Sequence, residues 1–285
     1  MSAPIVDSHL HLWDPGRFVY PWLESAARLD RPFGIADFDR ARGAVQVERA
    51  VFVECDCHPS QRLAEARWVA ELARGEARIG AIVAGSAIER GRESRADLEL
   101  LREIPLVKGV RRILQDEPDL GFCLGGAFLE GLGQLEELDL SFDVCVYHYQ
   151  LATVVAFARA APYVRFVLDH MGKPRVAEAL LDPWREHLRQ LAALPNVWCK
   201  ISGLVTEANH EAWTGSDLRP YLDHALECFG IERVMFGGDW PVATLATDYP
   251  RWVASLRATL PLSAEEDGRL FRDNALEFYR IEGSR

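Results

Sequence analysis

The first residues of this chain that could do chemistry are two histidines one residue apart, in Ile5-Val6-Asp7-Ser8-His9-Leu10-His11-Leu12-Trp13-Asp14. In an extended strand side chains alternate between faces, so His9 and His11 would point one way and Leu10 and Leu12 the other. Two convergent imidazoles suit a metal ion or a developing oxyanion. Taken alone, a His-x-His is as readily a hydrogen-bonded pair at a strand end, and only further groups aimed at the same point give it a function.

Such groups recur after the other apolar runs. Gly237-Gly238-Asp239-Trp240-Pro241 places a carboxylate where the chain leaves a β-branched stretch, with two glycines that allow close backbone approach. Beside histidines, Asp239 could ligate a metal, act as a general base toward water, or both. A helix N-cap is the plain alternative, and Pro241 with no immediate helical pattern argues against it. His170, in Leu168-Asp169-His170-Met171-Gly172-Lys173-Pro174, would be a third imidazole at the same mouth. Glu54, Arg111-Arg112, His148 with Gln150, and Lys200 with Ser202 close further runs. Arg111 and Lys200 would suit an oxyanion, carboxylate or hydroxyl-rich substrate, or be tied to a carboxylate such as Asp169 or Glu54. His148 lies between Tyr147 and Tyr149, and only one parity can face inward. His58, His187, His210 and His224 fall on helices or loops away from strand ends and read as structural or surface residues.

The elements that must carry these residues alternate. Eight short apolar runs begin near Ile5, Ala50, Ile79, Val107, Phe142, Arg165, Val197 and Arg233, with cores such as Val51-Phe52-Val53, Val110 to Leu114 and Val144-Cys145-Val146. They are apolar throughout, as strands covered on both faces are. Between them, Leu63 to Leu72, Leu98 to Ile104, Phe128 to Leu138, Val154 to Ala161, Leu180 to Leu194 and Leu218 to Phe229 carry apolar residues at helical spacing. Trp252 to Leu260 and Ala264 to Tyr279 follow, the latter behind a Ser263/Glu266 capping box. The pattern predicts a single α/β domain over residues 1–285, a (β/α)8 TIM barrel with its site at the C-terminal strand ends, with an open doubly wound sheet as the alternative. One connection is disproportionate: Leu12 to Arg49, with Trp13, Tyr20-Pro21-Trp22 and Arg31-Pro32, reads as a long aromatic loop after strand 1 that forms a lid or a pocket wall.

The 285 residues are 49% hydrophobic and 26% charged, enough for a large core, and the net charge of −11 with no basic run opposes nucleic-acid binding. No apolar run reaches the roughly 18 residues that span a bilayer, and Met1-Ser2-Ala3-Pro4 has no secretory pattern, so a cytoplasmic protein without a membrane partner is expected. Its six cysteines read as buried reduced thiols, and Cys55-Asp56-Cys57 as packing residues, because no second cysteine-rich half of a zinc site is present. A homo-oligomer stays open.

Together these stretches resemble the amidohydrolase superfamily, in particular its amidohydrolase-2 branch of sugar-lactone and pyrone-dicarboxylate lactonases. The resemblance spans nearly the whole chain. It is carried by Asp7 to Pro15, Tyr20-Pro21-Trp22, Lys108-Gly109-Val110-Arg111, Gln115 to Asp119, Leu168 to Pro174, Cys199 to Leu204, Phe236 to Pro241 and Asn274 to Tyr279. It implies a hydrolase that opens the lactone ring of a sugar acid, an aldono- or aldarolactone, in the manner of L-fucono- and L-rhamnonolactonases. By position Asp239 would deprotonate the attacking water, while His9, His11 and His170 would polarise the carbonyl directly or through one metal ion. Trp22, Glu54, Arg111, His148 and Lys200 would bind the substrate. Two-metal relatives use a bridging Lys or Glu at the end of the fourth strand; here that end reads Arg111-Arg112, so a binuclear site is not expected. A single Zn²⁺ or Mn²⁺ on His9, His11 and Asp239 has suitable donors, and metal-independent hydrolysis of an activated ester stands beside it. Two departures from the family pattern are Gly238, where Ser is frequent, and Glu54, where Gln is common. The rival reading is a metal-dependent decarboxylase or hydratase acting on an unsaturated or aromatic acid, with a tightly held metal and a more apolar pocket. A barrel without catalysis would lack the base or a histidine, and both are present.

Overall fold

The computed structural model describes residues 4–282; the expectation about a leader falls on Met1 to Ala3, outside the described residues. Eight parallel strands pair in chain order: β1 (Ile5–Leu10), β2 (Val47–Val53), β3 (Ile79–Gly85), β4 (Val107–Arg111), β5 (Ser141–Val144), β6 (Phe166–Leu168), β7 (Val197–Ile201) and β8 (Val234–Phe236). Each is followed by a covering helix: α1 (Ile35–Arg42), α2 (Arg62–Ala73), α3 (Arg95–Arg102), α4 (Gly126–Glu137), α5 (Leu151–Ala160), α6 (Trp184–Ala192), α7 (Gly215–Phe229) and α8 (Tyr249–Thr259). The result is a (β/α)8 barrel. Its last strand meets its first through a Leu10–Trp240 bridge, with His11 N donating to Trp240 O at 2.8 Å and Asp239 N to His9 O at 2.8 Å.

Alternation within β2 explains why the strands are apolar throughout. Val51 and Val53 join an interior cluster with Val6, Val83, Val167 and Met235, while Ala50 and Phe52 pack outward against the helices. At the far end α9 (Ala264–Gly268), a π-helical turn at Arg269–Asp273 and α10 (Asn274–Tyr279) close the barrel, with Phe278 and Tyr279 in the interior cluster. Ser263 and Glu266 form the expected capping box, Ser263 N donating to Glu266 Oε2 at 2.7 Å. Simple alternation does not hold in β1. Val6 is interior and Leu10 exterior, and a register shift between Asp7 and Leu10 resets the parity. That shift lets His9 and His11 face the mouth.

Three expectations are corrected in detail. The Leu12 to Arg49 connection holds the helix α1, whose entry is fixed by Gly34 N donating to Asp37 Oδ2 at 3.0 Å; with Phe38 as its buried residue, it lacks a clear apolar stripe. β4 and β5 end at Arg111 and Val144, short of Leu114 and Val146, because Leu114 N turns to Cys145 O at 3.1 Å outside the ladder. Leu180 to Pro183 precede α6 instead of belonging to it. Among the described residues no helix is long and apolar enough to cross a membrane, and all six cysteines are free.

Candidate active site

The C-terminal strand ends bring three imidazoles around one carboxylate oxygen. Asp239 Oδ1 lies 3.6 Å from His11 Nε2, 3.9 Å from His9 Nε2 and 3.9 Å from His170 Nε2. His9 Nε2 and His11 Nε2 are 3.1 Å apart. The metal set expected from sequence was His9, His11 and Asp239; the structure groups His170 with His9 and Asp239 as residues that could hold an ion, and His11 Nε2 lies beside them, 3.6 Å from Asp239 Oδ1.

Each of the four is held from behind. His11 Nδ1 donates to the carbonyl oxygen of Val53 at 2.8 Å, leaving its Nε2 a bare lone pair aimed at the centre. His170 Nδ1 is 2.8 Å from Ser202 Oγ, and its residue sits at φ 53° in the turn after β6. Asp239 has φ 51°, and its placement depends on two glycines. A Cβ on Gly203, itself at φ +57°, would meet His170 Nδ1 at 2.5 Å and Asp239 Oδ2 at 3.0 Å. A Cβ on Gly238 would meet Asp7 Oδ2 and the Tyr249 ring, each at 2.4 Å. There is no room for a serine at Gly238, and the hydroxyl it would bring is supplied by Tyr249, which donates to Asp7 Oδ2 at 2.9 Å. Asp7 Oδ1 accepts from His9 N at 3.0 Å and Gly238 N at 2.8 Å, so one buried carboxylate fixes both sides of the site. Burial pushes its carboxyl up to about 6, against those hydrogen bonds.

Beneath the imidazoles runs a chain of buried charges. Arg111 Nε donates to Glu54 Oε1 at 2.6 Å and Nη1 to Asp169 Oδ2 at 3.1 Å; Lys200 Nζ lies 3.0 Å from Asp169 Oδ1 and 2.5 Å from Asp143 Oδ2, which also accepts from Tyr279 Oη at 2.7 Å. Burial alone would lift the Asp239 carboxyl, but His170, a hydrogen bond from His11 and His9 hold it well below the usual carboxylate range. Burial lowers His170 to about 4 and His9 well below the imidazole range. Near neutral pH Asp239 is thus an ionised carboxylate and His9 and His170 are neutral imidazoles, the protonation states a divalent cation requires of its ligands.

The donor spacing also fits one ion. Tetrahedral bonds of about 2.0–2.1 Å place ligand atoms about 3.3 Å apart, and three protein donors leave the fourth position to water; His9, His170 and Asp239 lie close enough together to form such a set, with His11 Nε2 3.1 Å from His9 Nε2 and 3.6 Å from Asp239 Oδ1. His11, with its second nitrogen on a backbone carbonyl, has the support that metal-bound imidazoles have.

Above the centre opens a cavity of about 190 Å³ lined by Trp13, Trp22, Arg111, Gln115, Lys173 and Thr206 among others. Trp22 and Arg111 are where the sequence put them. Lys200, Glu54 and His148 do not line the cavity. Lys200 is fully buried and held by two carboxylates, Glu54 is consumed by Arg111, and His148 turns its Nδ1 to Lys173 O at 3.2 Å. Glu54 thus reaches the pocket through Arg111. Residues that the sequence reading passed over include Lys173, whose Nζ donates to Gln115 Oε1 at 2.5 Å, and Asp7 and Asp143. Asp143 had one signal: a carboxylate in the middle of a strand covered on both faces must have a partner.

The amidohydrolase family matches residues 6–281 of this chain. An L-fucono-1,5-lactonase of Burkholderia multivorans is 37% identical, covering 99% of this chain and 97% of its own; another from Burkholderia ambifaria is 32% identical, covering 97% and 96%. A crystal structure of a Burkholderia multivorans amidohydrolase with bound zinc is 34% identical, covers 98% of this chain and 100% of its own, and superposes with a TM-score of 0.84. By the family match and by identity over nearly its full length, this chain belongs to the amidohydrolases.

Proposed function

We propose that this protein is a lactonase that hydrolyses a sugar-acid lactone, an aldono- or aldarolactone, as a single catalytic domain in the cytosol. The observation that carries the reading is the ionised Asp239 carboxylate ringed by His9, His11 and His170 at the floor of a pocket sized for one sugar ring. The lactonase names of the relatives support the same chemistry, and the buried free thiols suit a reducing compartment.

Asp239 takes a proton from the water that attacks the lactone carbonyl carbon. As the carbonyl becomes tetrahedral, His11 and His170, which line the cavity, face the developing negative charge, with the fully buried His9 behind them. The ring C–O bond then breaks, and Asp239 returns the proton to the departing ring oxygen, giving a hydroxy acid. One divalent ion held by three of His9, His11, His170 and Asp239 would keep a position open and supply Lewis acidity to the carbonyl and acidity to the water; the zinc in the related structure supports zinc as that ion. Arg111 is matched by Glu54 and Asp169, so Lys173 is the cation left to orient hydroxyls or charge on the substrate, with Gln115 and Thr206 beside it. Trp22 lines the cavity and would supply an aromatic surface for the sugar ring. Arg111, Gln115, Lys173 and Thr206 give a sugar acid polar partners on a wall otherwise built from residues such as Trp13, Trp22, Ile113 and Val242, and the lactonase names of the relatives favour that substrate over the aromatic or unsaturated acid of a decarboxylase or hydratase.

The test is proton release from a panel of 1,4- and 1,5-aldonolactones, with and without exhaustive chelation, using Asp239→Asn as blank. Selective hydrolysis lost in the variant is the expected result. No release above the blank for any lactone overturns the reading.

A further inference from the structure

The two nitrogens of His9 face opposite requirements. His11 carries its proton on Nδ1, because the Val53 oxygen 2.8 Å away can only accept. Its bare Nε2 faces His9 Nε2 at 3.1 Å. Such a contact is attractive in two ways: His9 Nε2 bears a hydrogen and donates it, or a cation sits on both lone pairs. On the other side of the ring there is a partner for each state. Lys200 Nζ, which can only donate, is 3.2 Å from His9 Nδ1; Asp169 Oδ1, which can only accept, is 3.3 Å from it.

With Nε2 protonated, Nδ1 is a lone pair and accepts from Lys200. With a metal ion at Nε2, Nδ1 carries the proton and donates to Asp169. The ring holds one proton in both states, so His9 releases none when the metal is captured. Both partners are locked in place: Arg111 Nη1 pins Asp169 Oδ2 at 3.1 Å, and Asp143 Oδ2 pins Lys200 at 2.5 Å. Neither side chain touches the cavity.

We propose that Lys200 and Asp169 select the tautomer of His9, and through it set how firmly the site holds a divalent metal: Lys200 favours the metal-free ring and Asp169 the metal-ready one. Both are positioning residues. The inference concerns the metal state of the site, and its test reads zinc binding without substrate, so its failure and the failure of the lactonase reading are distinguishable.

The experiment measures zinc dissociation constants by chelator competition for the native chain, for Lys200→Met combined with Asp143→Asn, and for Asp169→Asn. The double replacement removes the ammonium together with a charge it neutralises, and an amide at position 143 can still accept from Tyr279 Oη. Expected are zinc binding about tenfold tighter in the double variant and roughly 10–100-fold weaker in Asp169→Asn, the range for groups that orient metal-bound histidines. If Lys200 merely props the barrel, the folded double variant binds zinc equally or more weakly, and that overturns the proposal. Should the double variant not fold, ¹⁵N-histidine spectra of the native chain decide: Nε2–H on metal-free His9 changing to Nδ1–H with zinc is expected, and Nδ1–H without metal overturns it.

Discussion

Asp239 is the carboxylate that the three imidazoles surround, while Asp169 is spent on Arg111 and Lys200. Asp239→Asn is therefore expected to lower kcat by about 10²–10⁴-fold with the circular dichroism spectrum unchanged; near-native turnover would remove Asp239 as the base. Gly203 gives a separate test of the geometry. Gly203→Ala adds a Cβ 2.5 Å from His170 Nδ1 at a backbone φ of +57°, so a loss of about 1–3 kcal/mol in urea unfolding and at least a tenfold drop in kcat/KM are expected. The convergence of His9, His11, His170 and Asp239 was legible in the sequence because each lies at or just past the end of a strand and each is a type with few other uses at a barrel mouth. Lys200 and Lys173 show where that legibility ends. Lys200, within β7, is sealed beneath the imidazoles, and Lys173, in the turn after β6, lines the cavity. The positive-φ turn from His170 to Lys173 carries Lys173 to the cavity wall, and residue type leaves no mark of it.

The aromatic excursion after β1 is docked, not free. Trp22 Nε1 donates to Cys55 O at 2.8 Å, Trp13 Nε1 donates to Arg31 O at 2.9 Å, and Tyr20 Oη donates to Glu65 Oε1 on α2 at 3.1 Å. The aromatic residues announced a wall; the carboxyl that anchors it sits on a helix whose apolar pattern gave no reason to single it out. Burial pushes Glu65 up to about 8, so the folded chain keeps a proton that the unfolded chain loses near its ordinary 4.5. The sign follows directly. Between those values the native state binds more protons, so stability is highest at the acid end and falls as pH rises toward 8, by up to about 5 kcal/mol from this group. Glu65→Gln removes the titration while its amide can donate to Tyr20 Oη and its carbonyl accept from Cys55 N. Urea midpoints at pH 5 and pH 8 are expected to differ less in the variant than in the native chain, with the gain at pH 8. An unchanged pH slope would mean that Glu65 is ionised in the fold.

On the scale of the whole molecule, the candidate site lies on the seam where the barrel closes. Strands β1 to β8 pair by continuous ladders, but β8 returns to β1 through the Leu10–Trp240 bridge and a few bonds made by the site's own neighbours: Asp239 N to His9 O, Gly238 N to Asp7, and Ser8 Oγ to Phe236 O at 2.7 Å. A cation shared by His9, His11 and Asp239 would join residues more than two hundred positions apart in the chain. It would cross-link the weakest of the eight strand junctions, so binding and folding are coupled there. Zinc at about 100 times its Kd should add about 2.7 kcal/mol and raise Tm by roughly 5 °C. Amide exchange should slow most in peptides covering residues 5–13 and 234–245, and far less across the β4–β5 ladder. His170→Ala removes one proposed ligand while leaving the seam's backbone bonds intact, and should shrink both effects. A Tm and an exchange pattern indifferent to zinc and to chelator would separate the site from the seam and leave the imidazoles to work without a metal.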